Sequence, residues 1–148
     1  MYRGSGAGTE VFLVHPGGPF WAKKDAGAWS IPKGLADPGE DLLGTAKREF
    51  HEETGFTAEG DFRPLGAFKQ PGGKIVHAWA FEGDCDPSRL VSNLFEMEWP
   101  PRSGKRARFP EADRADWFGP SAASTKILRG QQPILLKLFS ELGIAQPT

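Results

Sequence analysis

Residues 34–56 read GLADPGEDLLGTAKREFHEETGF, and this stretch decides how the rest of the chain is read. Leu43, Ala46 and Phe50 recur at helical spacing, and Gly55 supplies a stop. A helix is expected from about Asp41 to Thr54, after a loop over Gly34 to Glu40 that holds Pro38 and Gly39. On that helix Glu49, Glu52 and Glu53 stand at i, i+3 and i+4, so their side chains project within an arc of roughly 100°.

Three carboxylates that close repel one another, and an ordinary solvated face gains more from Glu–Lys pairs. A solubilising acidic patch is the plain alternative for such a triplet. The spacing makes physical sense around a multivalent cation, and hard oxygen donors suit Mg²⁺ or Mn²⁺.

Outward from this helix the chain alternates between short strands and helices. Val11 to His15 is an apolar strand ended by Pro16-Gly17-Gly18-Pro19, and Phe20 to Lys23 reads as a second strand. Asp25 to Ala28 is a turn. Trp29-Ser30-Ile31 is extended because Pro32 moves its predecessor out of the α region. Beyond the helix, strands are expected over Arg63 to Gln70, Lys74 to Glu82, Asn93 to Trp99 and Ala115 to Phe118. Turns fall at Pro71-Gly72-Gly73 and over Pro100 to Lys105. Two closing helices are expected, from Ser121 to Leu128 and from Gln132 to Leu142, the latter with Ile134, Leu135, Leu138, Phe139 and Leu142 on one face. This irregular interleaving predicts an α/β (α+β) fold, a mixed β-sheet flanked by helices, and not a doubly wound parallel sheet.

The 148 residues fit one domain with one core. Hydrophobic residues at 39% and charged residues at 25% are ordinary for a soluble globular chain. A net charge of −1 argues against a sequence-independent nucleic-acid binder, which carries a basic surplus. Cys85 is the one cysteine, which excludes an intramolecular disulfide and a Cys-rich metal site. No apolar run approaches the ~20 residues of a membrane span, and the glycine-rich, polar start is no signal peptide. A cytoplasmic location is the default expectation. Trp21, Trp29, Trp79, Trp99 and Trp117 are each read as core before any is read as a stacking platform.

The 34–56 stretch resembles the Nudix box, G-x5-E-x7-R-E-U-x-E-E-x-G-U, with U a bulky apolar residue. Gly34, Glu40, Arg48, Glu49, Glu52, Glu53 and Gly55 occupy every fixed position, and Phe50 and Phe56 fill the two U positions where an aliphatic residue is commoner. The resemblance implies an α/β/α sandwich and a Mg²⁺-dependent hydrolase, Mn²⁺ serving as well, that cuts a diphosphate linkage in a small nucleotide-like substrate. It implies that Glu49, Glu52, Glu53 and the Gly34 carbonyl are metal ligands, with one of the acids acting as base. It makes Arg48 and Glu40 a structural pair that orients the loop against the helix.

Similarity extends past the box. Trp29 to Gly34 resembles the approach found in diadenosine polyphosphate hydrolases, which gives Lys33 a role on substrate phosphates. In that branch and in bacterial RNA 5′-pyrophosphohydrolases a Glu six residues before a Trp returns to the metal site, and Glu111 keeps that spacing to Trp117. Glu82, Glu96 and Glu98 are weaker candidates for the same task. The reading is therefore diadenosine tetraphosphate or a nucleoside triphosphate ahead of ADP-ribose or a nucleoside diphosphate-sugar, and a non-catalytic nucleotide sensor comes last because the box is intact. Two features pull the other way. The Tyr of the polyphosphate branch is replaced by Gly72, Gly73 and Lys74, and Pro71 stands where ADP-ribose hydrolases carry a Pro, although a hairpin turn also explains it. Nudix domains usually open with a further apolar strand. Met1-Tyr2-Arg3 looks like its tail and residues 1–10 look otherwise irregular, so an open sheet edge is expected to invite a homodimer.

Overall fold

The computed structural model describes residues 1–34 and 39–145. The expected loop from Gly34 to Glu40, with Pro38, therefore lies largely outside the described residues. In chain order the elements are β1 (Tyr2–Arg3), β2 (Glu10–Pro16), α1 (Leu42–Thr54), β3 (Arg63–Lys69), β4 (Ile75–Ala80), β5 (Leu94–Glu98), β6 (Arg106–Pro110), β7 (Ala112–Phe118), α2 (Pro120–Lys126) and α3 (Gln132–Glu141). The fold is α+β, built from antiparallel strands with helices packed over them.

The spine is β2, paired on one side with β7 and on the other with β1. Alternation along a strand sends successive side chains to opposite faces. Val11 and Leu13 enter a core shared with Ala123 of α2 and with Ile134, Leu135, Leu138 and Phe139 of α3. Phe12 and Val14 enter a second core with Phe50 of α1 and Trp117 of β7. Helices thus close both faces of the strand, which is why the run from Val11 to His15 is buried throughout instead of alternating with exposed residues.

The helix that carries the acidic triplet follows its sequence signals closely. Asp41 caps it by accepting from the Gly44 amide at 2.6 Å, and Gly55 ends it in the left-handed region with φ 79°. The stretch expected to pair poorly near the N-terminus holds β1 and a single turn of 3-10 helix at Gly6–Gly8. Its outer edge is occupied: Tyr2 donates to the Phe81 carbonyl and accepts from Gly83, both at 3.0 Å. Among the described residues the edge beside β1 is thus paired with residues 81–83.

Two expectations change. Phe20 to Lys23 is a run of turns, because Pro19 cannot donate to a ladder and the Lys24 amide turns back to the Trp21 carbonyl. A strand absent from the sequence reading, β6, pairs with β5 from Leu94↔Pro110 to Glu98↔Arg106. Its alternation of arginines with Ala107 and Phe109 is a period-two pattern hidden by high charge. No described helix is long and apolar enough to cross a membrane.

Candidate active site

Two separate pieces of backbone converge on α1. The first is Trp29 to Gly34. Ser30 exchanges both backbone hydrogen bonds with Val14 at 2.9 Å, and Gln131 holds the next residue by accepting from the Ile31 amide at 3.0 Å. The side-chain amide of Gln131 also donates to Ser30 Oγ at 3.0 Å, so this buried glutamine satisfies its polar groups by fixing the segment. The chain then delivers the Lys33 amide to Glu53, 2.8 Å from Oε2. Gly34 follows, pressed against the Glu49 carboxyl; a Cβ there would sit 2.0 Å from the Glu49 carboxyl carbon. Any side chain there would push the Glu49 carboxyl aside.

The second piece runs from the C-terminal end of α1 to Glu111. The last carbonyls of a helix lack internal partners. Here Val91 donates to the Thr54 carbonyl at 3.0 Å and Asn93 to the Glu52 carbonyl at 2.8 Å. The Asn93 carbonyl in turn accepts from the Glu111 amide at 2.8 Å, and the Glu111 carbonyl accepts from Gly17 at 3.0 Å. Gly17 has no room for a side chain, since a Cβ would lie 1.8 Å from the Pro110 carbonyl oxygen. Glu111, exposed and remote in sequence, is thereby tied to the triplet's helix.

The electrostatics agree with this placement. Burial pushes the Glu53 carboxyl up to about 7; the Lys33 amide opposes the shift, and the charges of Glu111 and Glu49 add to it. Burial also raises Glu49, against the pull of Arg48 and with the repulsion of Glu52 and Glu111. Glu82, Glu96 and Glu98 are engaged elsewhere. Glu96 pairs with Arg106 at 2.9 Å, Glu98 accepts from the Arg102 amide at 2.8 Å, and Glu82 lies beside β1, lining the concavity with Tyr2, Asp61 and Arg63.

Arg48 is the hub of the acids. It grips both oxygens of Glu40, at 2.8 and 3.0 Å, and reaches Glu49 and Glu52 at 3.0 and 2.9 Å. Thr45 also donates to Glu40 at 2.8 Å. The sequence marked Arg48 as a partner of Glu40; its simultaneous hold on two of the acidic triplet, and the parts played by Gly17 and Asn93, were not foreseen.

A family model described as NUDIX domain matches residues 2–139. The chain belongs to the Nudix family. The fold agrees: a mutT/nudix family protein from Listeria innocua, known from its crystal structure, is similar with a TM-score of 0.57 and 18% identity, over 96% of this chain and 88% of that one. Curated relatives match over shorter stretches. An 8-oxo-(d)GTP phosphatase of Mycolicibacterium smegmatis is 44% identical over 72 residues, 45% of this chain and 22% of that protein. The mitochondrial ADP-ribose pyrophosphatase of Rattus norvegicus is 58% identical over 31 residues, 21% of this chain and 9% of that protein. An RNA pyrophosphohydrolase of Rhodopseudomonas palustris is 43% identical over 44 residues, 30% of this chain and 25% of that protein. The matched segments thus span a quarter or less of these relatives.

Whether this Nudix site suits a divalent cation is a question of donors and of geometry. The donors fit: the acids are hard oxygen groups, and burial and mutual repulsion leave Glu49 and Glu53 in want of positive charge. The geometry is not preassembled. Among the described residues no three Asp, Glu, His or Cys side chains stand close enough to hold an ion. Arg48 occupies oxygens of Glu49 and Glu52, and the Lys33 amide occupies Glu53, so these side chains must turn to serve as ligands. Two concavities have linings that include none of these acids. An apolar one is lined by Leu43, Ala46, Phe50, Ala78 and Leu135, and a polar one by Tyr2, Asp61, Arg63 and Glu82. Glu49, Glu52 and Glu53 are partly buried, and Glu111 is exposed.

Proposed function

We propose that this Nudix domain is a Mg²⁺- or Mn²⁺-dependent pyrophosphohydrolase that uses water to cut a diphosphate linkage in a nucleoside polyphosphate. The observation that carries this reading is that backbone bonds tie Glu111, from a distant loop, to α1, where its charge acts on Glu49 and Glu53, both raised by burial. The metal would be held by Glu49, Glu52, Glu53 and Glu111, with the Gly34 carbonyl beside Glu49. Bound there, it would supply positive charge against the phosphate oxygens.

The protein's own part is positioning and proton handling. Burial raises the Glu53 carboxyl to about 7 in the metal-free protein; beside a bound cation it would give up that proton and stand as a carboxylate, one candidate for base. Glu111 is exposed and near enough to act on Glu53, which makes it the other candidate for base. Arg48 restrains Glu49 and Glu52 so that their carboxylates keep to one side of the helix. Lys33, exposed and adjacent to the acids, offers a mobile cation to a phosphate chain.

A nucleoside triphosphate or diadenosine tetraphosphate stands first among substrates. Of the three relatives described, the longest match is to the protein named for 8-oxo-(d)GTP, and none is named for diadenosine tetraphosphate. ADP-ribose is the second reading, favoured by the short match to the rat protein. Pro71 does not strengthen it, because Pro71 opens the β3–β4 turn closed by Gly73 donating to Gln70 at 3.0 Å. Specificity constants with Mg²⁺ for nucleoside triphosphates, diadenosine tetraphosphate and ADP-ribose rank these readings. Absence of hydrolysis across the whole set overturns the proposal.

A further inference from the structure

The five tryptophans separate by what touches them. Trp29 and Trp117 are core, 5% and 7% exposed. Trp21 packs on the core and carries the Lys24 ammonium over its ring at 4.9 Å, and Trp79 lines the apolar cavity. Trp99 differs. It stands just past β5, and its ring meets Phe20, which is 61% exposed, edge to face at 5.6 Å and 84°.

The β5–β6 hairpin is two-faced. Alternation puts Phe95, Met97 and Trp99 on one side, opposite Phe109 and Ala107 in register, with the Phe95 and Phe109 rings 6.0 Å apart. The other side carries Glu96 bound to Arg106 at 2.9 Å and to Arg108 at 3.8 Å. Segment 17–20 runs along the aromatic side: a Cβ on Gly18 would come 3.0 Å from the Phe95 ring, and Phe20 lies against Trp99. An edge-to-face contact engages one face of one ring, and Phe20 is the exposed member of this pair.

This shelf is joined to the acids through backbone. Phe109 leads through Pro110 to Glu111, and the Gly17–Glu111–Asn93–Glu52 hydrogen bonds connect both edges of the shelf to α1. We infer that Phe20 and Trp99, backed by Phe95, form the platform on which the base of a nucleotide substrate stacks while its phosphates reach the acidic site. The inference rests on the hydrolase reading of that site. A mononucleotide fits better than an RNA tract, because Arg106 and Arg108 lie on the opposite face from the aromatic rings and are engaged by Glu96.

The test uses the full chain with Mg²⁺ and two readouts. The first is the indole N–H spectrum during titration with GDP and with inorganic tripolyphosphate. The second is steady-state hydrolysis of GTP and of tripolyphosphate by the native protein and by Phe20→Ala, Phe20→Tyr and Trp99→Leu. The expected result is that GDP moves the Trp99 signal and tripolyphosphate does not. Phe20→Ala and Trp99→Leu should raise KM for GTP about tenfold or more with a smaller change in kcat, tripolyphosphate should lose less, and Phe20→Tyr should restore most of the loss. A GDP titration that leaves Trp99 unmoved overturns the platform. So does an unchanged KM for GTP in both disruptive variants, even though hydrolysis would then uphold the acidic site. A moving Trp99 signal in a protein that hydrolyses nothing upholds the platform and overturns the acidic-site reading. Loss of binding of a 5′-triphosphorylated oligoribonucleotide in Arg106→Ala and Arg108→Ala, with Phe20→Ala unaffected, overturns it in favour of RNA.

Discussion

The Asn93 amide donates to the Glu52 carbonyl at 2.8 Å, and this bond joins the C-terminal end of α1 to the strand pair that leads to Glu111. Glu52 contributes its side chain to the acidic face and its main chain to the joint. Any segment inserted between Asn93 and Glu111 must leave both ends of the β5–β6 hairpin where they are, or Glu111 parts from the triplet.

Glu53 is expected to be indispensable for turnover and dispensable for folding. Glu53→Gln keeps an acceptor oxygen for the Lys33 amide but removes the ionisable group. Phosphate release should fall by about 10² to 10⁴-fold, with an unchanged circular dichroism spectrum. A folded variant with near-native turnover removes Glu53 from the catalytic set.

The same residue sets a pH dependence of stability in metal-free protein. Burial lifts its folded pKa to about 7, above the ordinary carboxyl value of 4.5. A carboxyl raised in the folded state contributes stability that is complete below about pH 4.5 and lost as pH rises through about 7. Chemical denaturation of native protein and of Glu53→Gln in chelator should therefore show the native midpoint falling relative to the variant across that interval. Parallel profiles would remove Glu53 as the source.

Gly17→Ala tests the joint without touching an acid. Its Cβ would fall 1.8 Å from the Pro110 carbonyl, a backbone atom that cannot swing aside. The β5–β6 hairpin must shift, and stability should drop by about 1–3 kcal/mol, with a loss of activity as Glu111 moves. A melting temperature and turnover equal to native would show that the loop yields freely.

Arg48→Lys separates charge from shape. Lysine keeps the cation but loses the fork that grips both Glu40 oxygens while reaching Glu49 and Glu52. Mg²⁺ should be needed at higher concentration for half-maximal activity, because the acids are less well held. An unchanged metal titration would mean that Arg48 serves the loop alone.

The extent to which the sequence disclosed this molecule follows from the range of the forces involved. Helix α1 was legible because its cap, its apolar face and its stop all lie within Asp41 to Gly55. The strand β2 was legible as an apolar run. The strand β6 was not, since its pairing partner β5 supplies its order and its charged residues mask its alternation. Phe20 to Lys23 misled for the converse reason: apolar residues suggested a strand, and Pro19 with the Lys24 turn decided otherwise. At the site, the three helical acids could be grouped from spacing, and the family resemblance added Lys33 and Gly34. Glu111 was picked out by its spacing to Trp117 through the resemblance; the main-chain bonds from Gly17 and Asn93 that tie it to α1 leave no such trace in the side chains.

The enclosure of β2 on both faces divides the molecule into a part that must be conserved in shape and a part that is free to drift. Replacing Phe12 or Leu13 opens a void against one helix layer or the other, at a cost of about 2–5 kcal/mol, so heredity has little latitude there. Segment 17–24 and the β5–β6 hairpin hang from the strand's end and carry few such obligations. New substrate preferences can therefore arise by editing the fringe while the spine and its acidic helix pass unaltered from one descendant to the next.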